Sequence, residues 1–290
     1  MTVRLHGVFT ALVTPFTKNG AVDFKTFRDL CTRQIAAGIA GLVPCGTTGE
    51  TPTLSKEEWR QLISIAVEES NGRVPVIAGC GSNDTKSTVE NIAEAKELGA
   101  DAALVVFPYY NKPNRQGLIA HVEQACSVGL PIVLYHVPGR TGQRLSVETL
   151  QLLCRIPGVI GLKEATGDVS FGQDVIQALQ DTDVSLLSGD DFTYTALMVM
   201  GFHGVISVLS NPAPKLSVDW ANAAKEGNIA EIQRLRKQLI PVVHTLFSQS
   251  NPLPCKAMMA EMGLLENMLR LPLFPIELEN NQKSDIAFLE

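Results

Sequence analysis

The stretch Val159 to Asp168 reads V-I-G-L-K-E-A-T-G-D, and Lys163 interrupts a short apolar, β-branched run before that run has ended. Strand alternation puts Gly161, Lys163 and Ala165 on one face and Ile160, Leu162 and Glu164 on the other. If the first face points inward, the small Gly161 and Ala165 leave room around the amine. Burial disfavours the charged form of a lysine, so its pKa should fall toward neutrality. A neutral amine can attack a ketone and form a Schiff base. A strand-end lysine can also simply snorkel or pair with a carboxylate.

The preceding apolar run narrows the choice. In P-I-V-L-Y-H-V-P-G-R-T-G, Tyr135 sits about as deep in its segment as Lys163 does in the next one. A phenol there could shuttle protons during Schiff-base formation, or be a core aromatic with a bonded hydroxyl. Arg140 follows the Pro-Gly turn, and its planar fork suits a carboxylate bidentately; alternatively it is a solvated loop charge. Further upstream, G-T-T-G-E (Gly46 to Glu50) brackets Thr47 and Thr48 with glycines. Its N–H groups and hydroxyls could converge on an anion such as a keto-acid carboxylate, or form an ordinary turn. The glycine-rich stretches 188–191 and 201–207 have only His203 as a basic neighbour, which argues against phosphate. The five histidines (His6, His121, His136, His203, His244) show no paired ligand spacing, so no metal site is expected.

These residues need a scaffold that brings distant segments to one end. Short apolar runs recur at 8–16, 41–46, 74–80, 102–108, 131–138, 159–165, 184–190 and 204–210. Several are nearly continuously apolar, as parallel strands buried on both faces are. Segments between them have helical spacing, at 23–38, 55–72, 84–100, 146–158 and 170–182. Ser55 with Glu58 forms a capping box, and Asp84 is a second cap candidate. Eight strand–helix units imply an α/β fold, a closed (β/α)8 TIM barrel with its chemistry at the C-terminal strand ends. An open doubly wound sheet is the alternative, but no G-x-G-x-x-G follows the first strand. After about residue 216 only helical patterns remain. The expected organisation is a catalytic barrel over 1–225 and a small C-terminal helical extension over 226–290, with a polar, loosely held tail from Glu277.

Composition sets outer bounds. The chain has 290 residues, 45% hydrophobic and 19% charged, which is enough for a large core. Its net charge of −6 argues against nucleic-acid or membrane-surface partners. Six scattered cysteines without a C-x-x-C pair read as buried thiols in a reducing compartment. The opening M-T-V-R-L-H-G-V-F-T-A-L-V-T-P-F has too short an apolar run for a signal peptide or spanning helix. A cytoplasmic location is expected.

With these residues placed, the chain closely resembles the dihydrodipicolinate synthase family of pyruvate-dependent class I aldolases. The likeness runs from Gly7 to about Pro275. It rests on TALVTPF, GTTGETPTLS, PYYNKP, YHVPGRTG, GLKEATGD, LLSGDD, GVISVLSN, NPLPCKAMMAEMGL and LRLPLFP. The resemblance implies condensation of pyruvate with L-aspartate 4-semialdehyde, giving 4-hydroxy-tetrahydrodipicolinate, without metal or external cofactor. It implies that Lys163 forms the Schiff base and that Tyr135 donates and accepts protons. Thr47 would link Tyr135 to Tyr110, the latter reaching in from a neighbouring subunit of a homotetramer built as a dimer of dimers. Thr48 and the backbone at Ile206 would hold pyruvate, and Arg140 the carboxylate of the semialdehyde. GTTGE and the lysine strand are shared more loosely with sialic-acid and keto-deoxy sugar acid aldolases. Those relatives, and a non-catalytic binding protein on the same scaffold, stay open as alternatives. In lysine-sensitive members the effector pocket carries histidines and a carboxylate. This chain keeps Asn83 and Tyr109 at matching positions. It has Lys56 and Trp59 in place of the histidines, Ser87 in place of the carboxylate, and Pro52 on the rim. The resemblance therefore implies weak or absent inhibition by lysine.

Overall fold

A computed structural model describes residues 5–289. The eight expected strands are present: β1 Gly7–Ala11, β2 Gly41–Val43, β3 Ile77–Gly79, β4 Ala102–Val106, β5 Ile132–His136, β6 Val159–Glu164, β7 Ser185–Ser188 and β8 Gly204–Ser207. They form one parallel sheet in the order β2-β1-β8-β7-β6-β5-β4-β3, alternating with helices as a (β/α)8 barrel does. Parallel strands covered on both faces must be apolar along their whole length, and most of these are fully buried.

The strands are shorter than the apolar runs. β1 stops at Ala11 although the run continues to Phe16, because Phe16 instead makes an antiparallel bridge to Val22. β3 starts three residues into its run, after Pro75, which has no N–H to give.

The helices are α1 Phe24–Ala36, α2 Lys56–Ser70, α3 Thr85–Glu97, α4 Arg115–Ser127, α5 Pro138–Thr141, α6 Val147–Cys154, α7 Val169–Leu179, α8 Tyr194–Met200, α9 Pro214–Lys225, α10 Ile229–Leu246, α11 Leu253–Glu261 and α12 Asn280–Ser284. The capping box at α2 is complete. Ser55 Oγ accepts from the Glu58 N–H at 3.2 Å and Glu58 Oε2 accepts from the Ser55 N–H at 2.8 Å. Asp84 caps α3 by accepting from the Ser87 N–H at 2.7 Å. α4 has a weak sequence signal because Gly117 lies in its first turn, where Asn114 caps it. α5 replaces a simple turn after β5.

The chain divides into two compact units. One comprises residues 5–7 with Ile77–Ile206, and the other Val8–Val76 with residues 207–289. Within the first, β5 pairs in parallel with β6, from Ile132↔Val159 to His136↔Glu164. Within the second, α1 packs on α2, and α9 on α10. The tail is tied down rather than loose. Thr245 Oγ1 donates to Asp285 at 2.7 Å, Lys283 pairs with Glu261 at 2.7 Å, and Gln238 donates to the Phe288 carbonyl. Most of these anchors are polar, with Leu278, 5% exposed, as an apolar one, which is why a polar composition concealed the anchoring. Of the six cysteines, five are buried and Cys126 is partly exposed, so the expectation of six buried thiols fails at one position.

Candidate active site

The lysine strand ends as its alternation requires. Lys163 is 6% exposed and directly opposite Tyr135 in the β5–β6 register. Its Nζ lies 4.1 Å from the centre of the Tyr135 ring. Burial pushes the lysine down from 10.5 to about 7, against an opposing pull from Asp191 and with a smaller downward push from Arg140. A substantial neutral fraction therefore exists at ordinary pH, which is what nucleophilic attack on a ketone needs.

The space around Lys163 is made by the residue that follows β7. A Cβ added at Gly189 would lie 2.9 Å from Lys163 Cε and 2.6 Å from the Ala165 side chain. Gly189 thus has a specific reason to lack a side chain, and Lys163 and Ala165 share the face that alternation assigned them. Asp191 is 1% exposed and its charge also bears on the wholly buried Tyr194, whose phenol is pushed well up, chiefly by burial.

On the other face of the same two strands, His136 and Glu164 are each 1% exposed, with Nδ1 3.5 Å from Oε1. His136 Nε2 accepts from the Leu145 N–H at 3.1 Å, so in the neutral ring the proton is on Nδ1, facing the carboxylate. Glu164 Oε1 accepts from the Thr166 N–H at 2.7 Å. The pair ties the ends of β5 and β6 to the loops that follow them. One of those loops extends from α5, which carries Arg140 on the exposed surface.

Ile206 lies in β8, 1% exposed. Tyr110 is 89% exposed, with φ at +73°, a conformation a tyrosine rarely adopts. Its neighbour Tyr109 is 37% exposed. In the first unit, Lys163 and Tyr135 are brought together, and Arg140 is close enough to be felt by the amine. Tyr110 points to solvent.

In the second unit, the G-T-T-G-E loop follows β2. Its ends are held in the left-handed region, with φ at +56° for Cys45 and +55° for Glu50. A Cβ at Gly49 would come within 3.2 Å of both the Cys45 nitrogen and the Leu12 carbonyl oxygen. Thr14 Oγ1 donates to the Gly49 carbonyl at 2.7 Å. Thr47 is half-buried, and Thr48, 3% exposed, accepts at Oγ1 from Asn251 Nδ2 at 2.9 Å.

Sequence reasoning missed what lies under that loop. Lys256 is wholly buried and its Nζ donates to Glu50 Oε1 at 2.7 Å and to the Thr14 carbonyl at 2.8 Å. The segment N-P-L-P-C-K was visible, but nothing in it announces a partner 206 residues away. Among the described residues no group of three or more His, Cys, Asp or Glu could hold a metal, and no helix is long and apolar enough to cross a membrane.

Residues 4–288 match the model of the dihydrodipicolinate synthetase family. This chain belongs to the dihydrodipicolinate synthetase family. It is 47% identical over 283 residues to the 4-hydroxy-tetrahydrodipicolinate synthase of Nitratidesulfovibrio vulgaris strain DP4, covering 97% of this chain and 96% of that protein. Among solved structures it is similar to the chloride-inhibited dihydrodipicolinate synthase of Acinetobacter baumannii in complex with pyruvate. That likeness has a TM-score of 0.93 and 41% identity, over 98% of both chains. It is also similar to a monomeric dihydrodipicolinate synthase variant, with a TM-score of 0.92, 38% identity, and 98% and 94% of the two chains covered. Membership of the dihydrodipicolinate synthetase family agrees with the resemblance read from GTTGE, YHVPGRTG and GLKEATGD.

Proposed function

We propose that this chain condenses pyruvate with L-aspartate 4-semialdehyde to give 4-hydroxy-tetrahydrodipicolinate, through a Schiff base on Lys163. The observation that carries the reading is the buried amine of Lys163, lowered to about 7 and packed on the Tyr135 ring. The uncharged Nζ adds to the pyruvate ketone, and loss of water gives an iminium. The iminium acidifies the methyl group, and loss of one proton gives an enamine. The enamine carbon attacks the aldehyde of the second substrate. That substrate's own amine then displaces Lys163 by transimination, closing the ring and restoring the free lysine.

Each remaining residue has a part in this reading. Tyr135 moves the protons, because its ring is already against Nζ. Thr48 and the backbone at Ile206 hold pyruvate, and Arg140 takes the carboxylate of the semialdehyde. Thr47 relays protons between Tyr135 and Tyr110 of a neighbouring subunit. The exposure of Tyr110 supports that last assignment, since a side chain so open in one chain is available to another. The reading extends to a cytoplasmic homotetramer that needs no external cofactor. The test is purified protein with both substrates, the product captured by a coupled reductase and identified by mass. Turnover with sialic-acid or keto-deoxy sugar aldehydes, and not with aspartate semialdehyde, would reassign the second substrate.

A further inference from the structure

Two non-glycine residues in the left-handed region, Cys45 and Glu50, bracket the hydroxyl loop, each at a cost of about 1–2 kcal/mol. Something must hold the loop in that form. Glu50 is 2% exposed and each of its carboxylate oxygens has a partner from the C-terminal part of the chain. Oε1 accepts from Lys256 Nζ at 2.7 Å, and Oε2 from the Arg270 N–H at 3.1 Å. Lys256 in turn grips the other flank of the loop. Its Nζ donates to the Thr14 carbonyl, whose own hydroxyl bonds Gly49, and sits 4.2 Å from the Phe16 ring centre. The Arg270 side chain extends the clamp by donating to Glu58 at 2.7 Å, to the Thr53 carbonyl at 2.7 Å and to the Gly20 carbonyl at 3.0 Å.

We infer that Glu50 and Lys256 are positioning residues that fix the loop carrying Thr47 and Thr48 in its pyruvate-binding form. The inference rests on the pyruvate-binding role proposed above for Thr48. A buried ion pair is weak evidence for stability, because desolvation offsets the attraction. Its geometric precision is a better reason for its presence. Lys256 Nζ is fixed from three directions, by Glu50, the Thr14 carbonyl and the Phe16 ring, and the Glu50 carboxylate from two. The loop's own backbone is held by turn hydrogen bonds such as that from the Gly49 N–H to the Gly46 carbonyl at 3.1 Å. The pair flanks the loop that carries Thr48, the proposed pyruvate contact, whereas the semialdehyde is assigned to Arg140. Its loss should therefore register on pyruvate and spare the semialdehyde.

The test is steady-state kinetics of Glu50→Gln in the full-length protein, each substrate varied separately. Losing a charge-assisted contact at the loop should raise KM for pyruvate about tenfold or more and leave KM for the semialdehyde within about twofold. Leu239→Ala, a cavity in the wholly buried face of α10, serves as a stability-matched control and should lower the melting temperature without moving either KM. Equal rises for both substrates, or a pyruvate KM within about twofold of the parent, would overturn the inference. So would a matching rise in Leu239→Ala. If Glu50→Gln does not fold, Glu50→Asp keeps the charge and is judged by the same split. Failure of both to fold would make the pair a folding element and overturn the positioning role. Absence of any pyruvate adduct in the parent protein would instead remove the underlying reading.

Discussion

Lys163 and Tyr135 are register partners on adjacent parallel strands, and the amine lies 4.1 Å from the phenol ring centre. Directly opposed residues on a sheet point to the same side, so their meeting is set by the backbone and not by flexible reach. The first prediction concerns the reactivity this produces. Below about pH 7 the amine is protonated and cannot attack. The rate of adduct formation with pyruvate, trapped by borohydride, should therefore rise roughly tenfold per pH unit below 7 and level off above it. Peptide mapping should find the label on Lys163 and not on Lys256, whose ammonium is engaged by Glu50 and Thr14. Labelling with a midpoint near 10 would mean that the amine is not desolvated in solution.

The same shift has a consequence for stability. The folded value lies below the unfolded one, so the unfolded chain carries the extra proton between about pH 7 and 10.5. Stability from this group is complete above 10.5, falls as pH drops, and is lost below 7. The depression corresponds to at most about 4–5 kcal/mol. Lys163→Met should raise the melting temperature at pH 7 by several degrees while abolishing turnover, and the gain should shrink toward pH 10. Scanning calorimetry at three pH values checks this; a lower melting temperature at pH 7 would count against a desolvated amine.

Tyr135→Phe keeps the ring that packs on Lys163 and removes only the hydroxyl. Turnover should fall about 10²–10⁴-fold, the usual range for a general acid–base group, with the fold intact by circular dichroism. Arg140→Ala should raise KM for the semialdehyde and leave pyruvate trapping unchanged. Loss of trapping in Arg140→Ala would move that residue to the first substrate.

How much of this was readable from residues alone follows from the range of each signal. Strand-end Lys163 was legible because alternation is local: three residues decide which face it takes. The caps at Ser55 and Asp84 were legible for the same reason. Lys256 was not, since its identity as a buried ammonium depends on Glu50, which no periodicity connects to it. The need for glycine at position 189 was equally hidden, because the clash it avoids is with Lys163 on the neighbouring strand. The α4 helix and the anchored tail were missed where composition pointed the wrong way: a glycine in a first turn, and polar side chains doing the anchoring.

Tyr110 gives a prediction about assembly. With a φ of +73° and 89% of its surface exposed, it is presented outward at a local conformational cost. A mixture of Tyr110→Phe and Lys163→Ala chains should recover part of the activity that each lacks alone, since a hybrid dimer restores one complete site. Hybrids demonstrated by native mass spectrometry but without activity would place Tyr110 outside catalysis, or in its own subunit's site.

The last prediction is that L-lysine inhibits weakly or not at all. Three of the altered positions, Lys56, Trp59 and Ser87, already have their side chains committed. Lys56 Nζ lies 4.6 Å from the centre of the Trp59 ring, and Trp59 as a residue is 5% exposed. Trp59 therefore has little surface left to stack on an incoming alkyl chain, and Lys56 presents a like charge to a cationic ligand. Ser87 stands where a carboxylate would bind the effector's amine, and its hydroxyl donates to Asp84 at 2.6 Å as part of the α3 cap. Solvent screens the repulsion only in part. A dose–response of initial rate against L-lysine at subsaturating pyruvate should show half-inhibition only above about 1 mM, the concentration that corresponds to roughly 4 kcal/mol of binding. Half-inhibition at lower concentration would mean that Asn83 and Tyr109 suffice to hold the effector. The double variant Lys56→His/Ser87→Glu should then change the curve little. If the reasoning from charge is right, that variant acquires sensitivity the parent lacks.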